Sequence, residues 1–328
     1  MVRFGVIGTN KITEQLLEAA KHNKQFKLTA VFSRTEERAK AFADTYGAEH
    51  TFTDVKEMAE SDVIDAVYIA SPTSLHKEYA VICMNGGKHV LCEKPIASNT
   101  RELQDMIDAA QRNNVLLMEA MKSTLTPAFE IIRANLDKLG VIRRYTGSYC
   151  QYSSRYDAYK QGTVLNAFNP AFSNGALMDL GVYCIYPLIA CFGEPNTVKA
   201  SAVMLESGVD GEGSILLGYN QMEAVIAYSK ITSSKLPSEI QGENGTMLID
   251  SISEPGHIRI EYRDGRTEIL SEPDSRPVML HELSHFVELV QSGKTESPVN
   301  SFTHSMATLA VMDAARKQIG LVYPADRA

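Results

Sequence analysis

The chain has 328 residues, of which 44% are hydrophobic and 22% charged, with a formal net charge of -8. That length exceeds what one hydrophobic core fills, so two domains are expected, and the composition excludes a disordered or low-complexity chain. The negative balance, without any dense Lys/Arg run, excludes long-range attraction to nucleic acid or to an anionic membrane surface.

The N-terminus enters a strand pattern at once, with no basic segment followed by an apolar stretch and a cleavage site, so a cytoplasmic location is expected. Cys83, Cys92, Cys150, Cys184 and Cys191 form no C-x-x-C pair and read as reduced, mostly buried thiols. Residues 2–8 read as a strand and residues 12–22 as a helix, where Ile12, Leu16, Leu17 and Ala20 share a face. The unit recurs: strands at 28–34, 66–71, 89–93 and 115–120 alternate with helices at 36–46, 74–85 and 100–113. Runs such as AVYIAS and VLLMEA are apolar on both faces, which a sheet covered by helices on both sides requires. The expected fold class is therefore α/β, beginning with a doubly wound parallel sheet of the Rossmann type over residues 1–121.

After a helix at 127–139 the texture changes. Strand-like runs at 144–152, 198–205, 214–218, 223–229, 247–249 and 257–262 follow one another, with turn signals at Glu243-Asn244-Gly245 and Asp264-Gly265. They predict a large, mostly antiparallel open sheet in a second α/β domain, 122–328, closed by helices at 278–291 and 303–319. The apolar stretch 175–193 contains Asp179 and Pro187 and reads as a buried helix rather than a membrane span.

Gly5-Val6-Ile7-Gly8-Thr9-Asn10-Lys11-Ile12-Thr13 lies where the first strand turns into the first helix, the context that gives a glycine fingerprint its meaning. Gly8 fits the tight-turn position. Asn10 and Thr13 replace the later glycines, and Asn10 is expected to supply a left-handed backbone or a phosphate ligand. The second strand ends in Ser33-Arg34, with Arg38 a turn further on and no carboxylate for a ribose 2′-hydroxyl. A hydroxyl and guanidinium groups suit a 2′-phosphate, so NADP is expected, with NAD as the alternative.

Glu93-Lys94-Pro95 closes the strand at 89–93, putting Lys94 at the carboxyl edge of the sheet where such folds bind ligands. In Gly175-Ala176-Leu177-Met178-Asp179-Leu180-Gly181-Val182-Tyr183, helical spacing puts Asp179 and Tyr183 on one face of an otherwise apolar segment.

Together, GVIGTNKI, SPTSLH at 71–76, EKP at 93–95, MEAM at 118–121 and GALMDLGVY at 175–183 resemble the Gfo/Idh/MocA oxidoreductase family over the whole chain. The resemblance implies an enzyme that transfers hydride between NAD(P) and a carbon of a sugar or similar small polyol. A dihydrodiol, dicarbonyl or inositol substrate is the alternative, as is a non-catalytic dinucleotide or sugar sensor. Members with Tyr at the position of Tyr183, among them glucose–fructose oxidoreductase, dimeric dihydrodiol dehydrogenase and certain xylose dehydrogenases, use NADP. The resemblance further implies that Lys94, Tyr183 and Asp179 are catalytic, with Pro95 often preceded by a cis bond. Gly8, Thr9, Asn10, Lys11, Ile12, Ser33, Arg34, Arg38, Ser71, Pro72, Thr73, His76, Glu93 and Lys94 would bind the cofactor. Lys122, Tyr156 and Asn174 would join Lys94, Asp179 and Tyr183 around the substrate. A free phenol, with pKa about 10, is too weak a base at neutral pH, and a neighbouring ammonium would lower it. Homodimers or homotetramers through the second domain's sheet are implied. His281-Glu282-Leu283-Ser284-His285 spells H-E-x-x-H, but no third ligand is evident and the segment reads as a plain amphipathic helix, so no metal is expected.

Overall fold

The structure, a computed structural model, describes residues 1–327. The chain forms two compact units, one of residues 1–121 and 276–305, the other of residues 122–275 and 306 onward.

In the first unit, β1 (Val2–Ile7), α1 (Lys11–Ala20), β2 (Phe26–Phe32), α2 (Glu36–Tyr46), β3 (His50–Phe52), α3 (Val55–Glu60), β4 (Ala66–Ile69), α4 (His76–Asn85), β5 (His89–Glu93), α5 (Thr100–Asn113) and β6 (Leu117–Ala120) alternate along the chain. The six strands lie in the order β3-β2-β1-β4-β5-β6, all parallel. The order reverses between β1 and β4, and that reversal opens a crevice outside the carboxyl ends of the strands. Every residue of β4 and of β6 is buried, because helices cover both faces. β3 and α3 were not expected: three exposed or half-buried edge residues and a six-residue helix carry too few positions to display a period.

The second unit contains α6 (Pro127–Ala134), β7 (Ile142–Cys150), α7 (Tyr156–Lys160), a π-helical turn over Leu177–Gly181 running into α8 (Val182–Phe192), and then β8 (Thr197–Met204), β9 (Asp210–Gly218) and β10 (Glu223–Ser229). β11 (Ser238–Gly242), β12 (Gly245–Ile249), β13 (Ile258–Tyr262) and β14 (Thr267–Ser271) follow. Its eight strands are ordered β14-β13-β12-β11-β7-β10-β9-β8. All neighbours are antiparallel except β7 and β10. Both expected hairpin turns are present, between β11 and β12 and between β13 and β14, the latter with Gly265 at φ +87°. β11 and β14 themselves were missed, since Ser-Glu-Ile-Gln-Gly and Thr-Glu-Ile-Leu-Ser hold few β-branched or aromatic residues. The helix expected over 127–139 stops at Ala134 and continues as a 3₁₀ turn, Leu136–Leu139. The apolar segment expected to be a buried helix is one: 78% of its most apolar window lies inside the structure.

Two helices complete the chain, α9 (Met279–Gln291) and α10 (Phe302–Ile319). The expectation that everything after residue 121 forms one domain is corrected by α9, which groups with the first unit. Its buried face, Met279, Leu283, Phe286 and Val287, packs on α1 and β1, and the Phe286 ring lies 5.8 Å from that of Phe4.

Candidate active site

The glycine turn begins with one backbone requirement. Gly8 has φ +116°, and a Cβ there would stand 2.5 Å from the Ala70 carbonyl oxygen, so only glycine fits. Asn10 is extended, at φ -126°, rather than left-handed as expected. Gly8 already supplies the positive φ, which leaves Asn10 to cap α1: its Oδ1 accepts from the Thr13 N–H at 3.2 Å and its Nδ2 donates to the Ala70 carbonyl at 2.7 Å. Thr13, in the place of the last glycine, is buried and donates to the Gly8 carbonyl at 2.7 Å. The N–H groups of Lys11 and Ile12 belong to the first turn of α1 and have no acceptor within the helix. That terminus, with its positive dipole end, suits a pyrophosphate.

Ser33 is buried just beyond the end of β2, whereas Arg34 and Arg38 are exposed. Arg38 folds over the glycine turn, its guanidinium donating to Thr9 Oγ1 at 2.7 Å and to the Thr9 carbonyl at 2.9 Å. These groups fit a dinucleotide carrying a 2′-phosphate: a close-approach glycine, the N-terminus of α1, and the exposed guanidinium groups of Arg34 and Arg38 beyond the end of β2.

Beyond β4, Ser71 and Pro72 are half-buried, and Thr73 and His76 are buried. His76, expected among the cofactor ligands, lies with Nδ1 3.0 Å from the Pro95 carbonyl and Nε2 2.9 Å from the Ser71 carbonyl. Burial holds its pKa down at about 4, so the ring is neutral at physiological pH. It therefore ties the end of β4 to the segment that carries Lys94.

Lys94 stands at the carboxyl edge of β5, half-buried, and its bond to Pro95 is cis. Glu93 is buried beside it and accepts from the Tyr68 hydroxyl at 2.5 Å and from the Lys94 N–H at 3.2 Å. On the other side of the cis bond, the buried carboxylate of Glu119 accepts from the Ile96 N–H at 3.1 Å and from Ser305 Oγ at 2.6 Å. Burial pushes the Glu119 carboxyl up to about 7. Asn300 donates to the carbonyls of Glu119 and Met121, at 3.0 and 3.2 Å. The sequence reading missed this support. A carboxylate inside the apolar run VLLMEA was the available signal for Glu119; nothing pointed to Asn300 or Ser305.

In the second unit, Asp179 occupies the π turn and Tyr183 the first turn of α8. Tyr183 is buried, its ring edge-to-face with Tyr149 at 5.7 Å. Asp179 pairs with a residue the sequence reading did not single out, Lys230, at 2.8 Å. Asp210 fixes the turn from beneath: it is buried, its pKa is raised to about 6 by that burial, and Oδ2 accepts from the Leu177 N–H at 2.7 Å. Gly175, at φ +149°, makes room for it, since a Cβ would fall 2.0 Å from Asp210 Oδ1.

Of the expected substrate contacts, Lys122 is ion-paired with Glu254. Tyr156 stacks on Tyr159 and packs against Phe168, with ring centres 5.8 and 5.6 Å apart. Asn174 folds its amide oxygen back onto the Gly175 N–H at 2.9 Å, while its carbonyl accepts from the Tyr323 hydroxyl at 2.9 Å. In α9, His285 Nε2 lies 2.9 Å from Ser297 Oγ. Among the described residues no group of three or more His, Cys, Asp or Glu side chains could hold a metal ion.

A doubly wound parallel sheet with a glycine turn at its switch point and a lysine at its carboxyl edge defines a dinucleotide-dependent oxidoreductase of the Rossmann type. The chain belongs to the Gfo/Idh/MocA family: residues 2–121 match the oxidoreductase family with an NAD-binding Rossmann fold, and residues 131–248 match the GFO/IDH/MocA C-terminal domain. It is 56% identical over 328 residues to scyllo-inositol 2-dehydrogenase (NADP(+)) IolU of Bacillus subtilis (strain 168), covering 100% of both chains. It is 29% identical to trans-1,2-dihydrobenzene-1,2-diol dehydrogenase of Xenopus laevis, covering 98% of this chain and 99% of the other. Among solved structures it resembles KijD10, a 3-ketoreductase from Actinomadura kijaniata in complex with NADP and TDP-benzene, with a TM-score of 0.85 at 25% identity over 97% and 98% of the two chains. The chain is an NAD(P)-dependent oxidoreductase acting on alcohol groups.

Proposed function

We propose that the chain oxidises a ring hydroxyl of an inositol or closely related polyol with NADP. The observation that carries this reading is the 56% identity, over the full length of both chains, to an NADP-dependent scyllo-inositol dehydrogenase. Ser33, Arg34 and Arg38 at the end of β2 support NADP, because cations and a hydroxyl stand where a carboxylate would select the free ribose of NAD. The dinucleotide, when bound, supplies the hydride acceptor. The chain's own residues do the rest. The backbone at Gly8 to Ile12 holds the pyrophosphate. The Lys94 ammonium and the Asp179 carboxylate orient the substrate hydroxyl, and Tyr183 takes its proton. The first unit is the dinucleotide-binding part, and the unit beginning at Lys122 is the substrate-binding and assembly part.

Exposed Val203, Met204 and Leu216 on β8 and β9 support a homodimer or homotetramer through the second unit's sheet, which sedimentation would report.

The test is a fluorescence titration with NADPH and NADH, followed by an absorbance screen of scyllo- and myo-inositol, aldoses and a dihydrodiol. Oxidation of an inositol with NADP, faster than of any aldose or diol, is expected. Preference for the dihydrodiol would move the assignment to the other group of relatives. Tight NADPH binding without turnover of any polyol would make the chain a sensor and overturn the proposal.

A further inference from the structure

Lys230 follows directly on β10, the strand that pairs in parallel with β7 and antiparallel with β9. Its backbone is pinned on both sides, the N–H donating to the Gly211 carbonyl at 2.9 Å and the carbonyl accepting from the Ser153 N–H at 2.8 Å. From that fixed stem the side chain runs inward. Its ammonium lies 2.8 Å from Asp179 Oδ2, 3.3 Å from the Ala167 carbonyl oxygen and 5.4 Å from the centre of the Phe168 ring.

The pair is asymmetric: the Lys230 side chain is 3% exposed and that of Asp179 39%. A buried ammonium gives up its hydration and persists only where fixed partners replace it. Here a carboxylate, a carbonyl and an aromatic face do so. The acid, by contrast, stays open to solvent, in a π turn of the kind that often marks functional positions. Asp210, the neighbouring acid, is fully buried and committed to the Leu177 backbone. One acid holds the turn together while the other is held by Lys230 and presented.

We propose that Lys230 is the positioning residue for Asp179 in polyol oxidation, fixing one carboxylate oxygen so that the acid meets the substrate hydroxyls in a single orientation. The proposal rests on the polyol reading above. The Lys230 ammonium fixes Asp179 Oδ2 at 2.8 Å, and misplacement of an orienting group by about 1 Å costs on the order of 100-fold in rate. Because the ammonium is buried, salt screens this pair far less than it screens a surface pair.

The test is a double-mutant cycle on the full chain with Lys230→Met, Asp179→Asn and the double variant, read as kcat and KM for scyllo-inositol with NADP and as NADPH affinity by fluorescence. Lys230→Met is expected to lower kcat/KM about 10- to 100-fold while leaving NADPH affinity within about twofold. The double variant should be no slower than Asp179→Asn alone, since Lys230 then has no carboxylate to place. Lys230→Gln, one atom shorter and uncharged but still carrying a donor, should fall between wild type and Lys230→Met. It supplies the same cycle where the Met variant does not fold. Losses that simply add, or a Lys230→Met enzyme with wild-type kcat/KM, would overturn the assignment of Lys230 while leaving the polyol reading intact. A wild-type chain that binds NADPH and oxidises no polyol overturns both.

Discussion

His76 and Glu119 grip the segment that carries Lys94 from its two sides, one at the Pro95 carbonyl and the other at the Ile96 N–H. Burial acts on them in opposite directions, lowering the imidazole from 6.5 to about 4 and raising the carboxyl from 4.5 to about 7. For His76 the depressed value means that its contribution to stability is complete above about 6.5 and is lost as pH falls toward 4. For Glu119 the raised value means that its contribution is complete below about 4.5 and is lost as pH rises toward 7. Between those limits the two slopes oppose each other. Asp210, raised to about 6, titrates in the same window in every variant, so Glu119→Gln should shift the pH slope of the urea midpoint upward relative to wild type, and His76→Asn should shift it downward. Identical slopes in the two variants would contradict the assignment. The proposed roles of Lys94 and Tyr183 require that Lys94→Ala and Tyr183→Phe each lower turnover by about two to four orders of magnitude, with NADPH affinity little changed for the phenylalanine variant. Lys94, Asp179, Tyr183 and Gly8 could be singled out in the sequence because each belongs to a motif placed at a strand or helix end, and the structure puts each at such an end. Lys230 could not, since a lysine after a strand ordinarily reads as solvated, and only the folded chain turns it inward.

The first βα turn shows why an element can be read correctly while its working parts are misassigned. Strand, turn and helix lie where the periodicity puts them, but the fingerprint has one glycine where three are usual, and sequence alone leaves open which residue bends the backbone. Gly8 does so, which frees Asn10 to cap α1 and to reach the Ala70 carbonyl behind β4. Asn10→Ala should cost about 0.5–2 kcal/mol of stability through the lost cap and should weaken NADPH binding, because the same turn shapes the pyrophosphate site. Denaturant unfolding and a fluorescence titration on one preparation check both. Unchanged stability would mean that the α1 terminus is held by something other than this side chain. The π turn at Leu177–Gly181 was likewise invisible, because helical spacing over 175–193 is equally compatible with a regular α-helix. Its first residue is fixed from outside the helix: Asp210 takes the Leu177 N–H, and Gly175 leaves it the room.

At the scale of the whole molecule, the sequence locates where the parallel sheet ends, at residue 121, since strand alternation with helices stops there and hairpins begin. It does not show that the chain comes back. The amphipathic pattern of α9 says only that Leu283, Phe286 and Val287 face something apolar, and chain order suggested the second sheet. In the structure that face closes on α1 and β1, with Phe286 fully buried against Phe4, Asn23 Nδ2 donating to Ser284 Oγ at 3.1 Å and Gln291 Nε2 donating to Gln25 Oε1 at 3.1 Å. The return of Asn300 and Ser305 to Glu119 extends the same closure to the base of the Lys94 segment. The dinucleotide-binding unit is therefore discontinuous, and its stability should depend on residues more than 150 positions away from its last strand. Phe286→Ala should cost about 3–5 kcal/mol, the range for removing a buried phenyl ring, although the residue lies far in sequence from the glycine turn. A chain ending at Met121 should aggregate, because β1 and α1 would expose the surface that α9 covers, whereas residues 1–121 joined by a short flexible linker to 276–305 should stay monomeric and bind NADPH. A soluble, NADPH-binding chain of residues 1–121 alone would show that α9 merely decorates the unit it packs against.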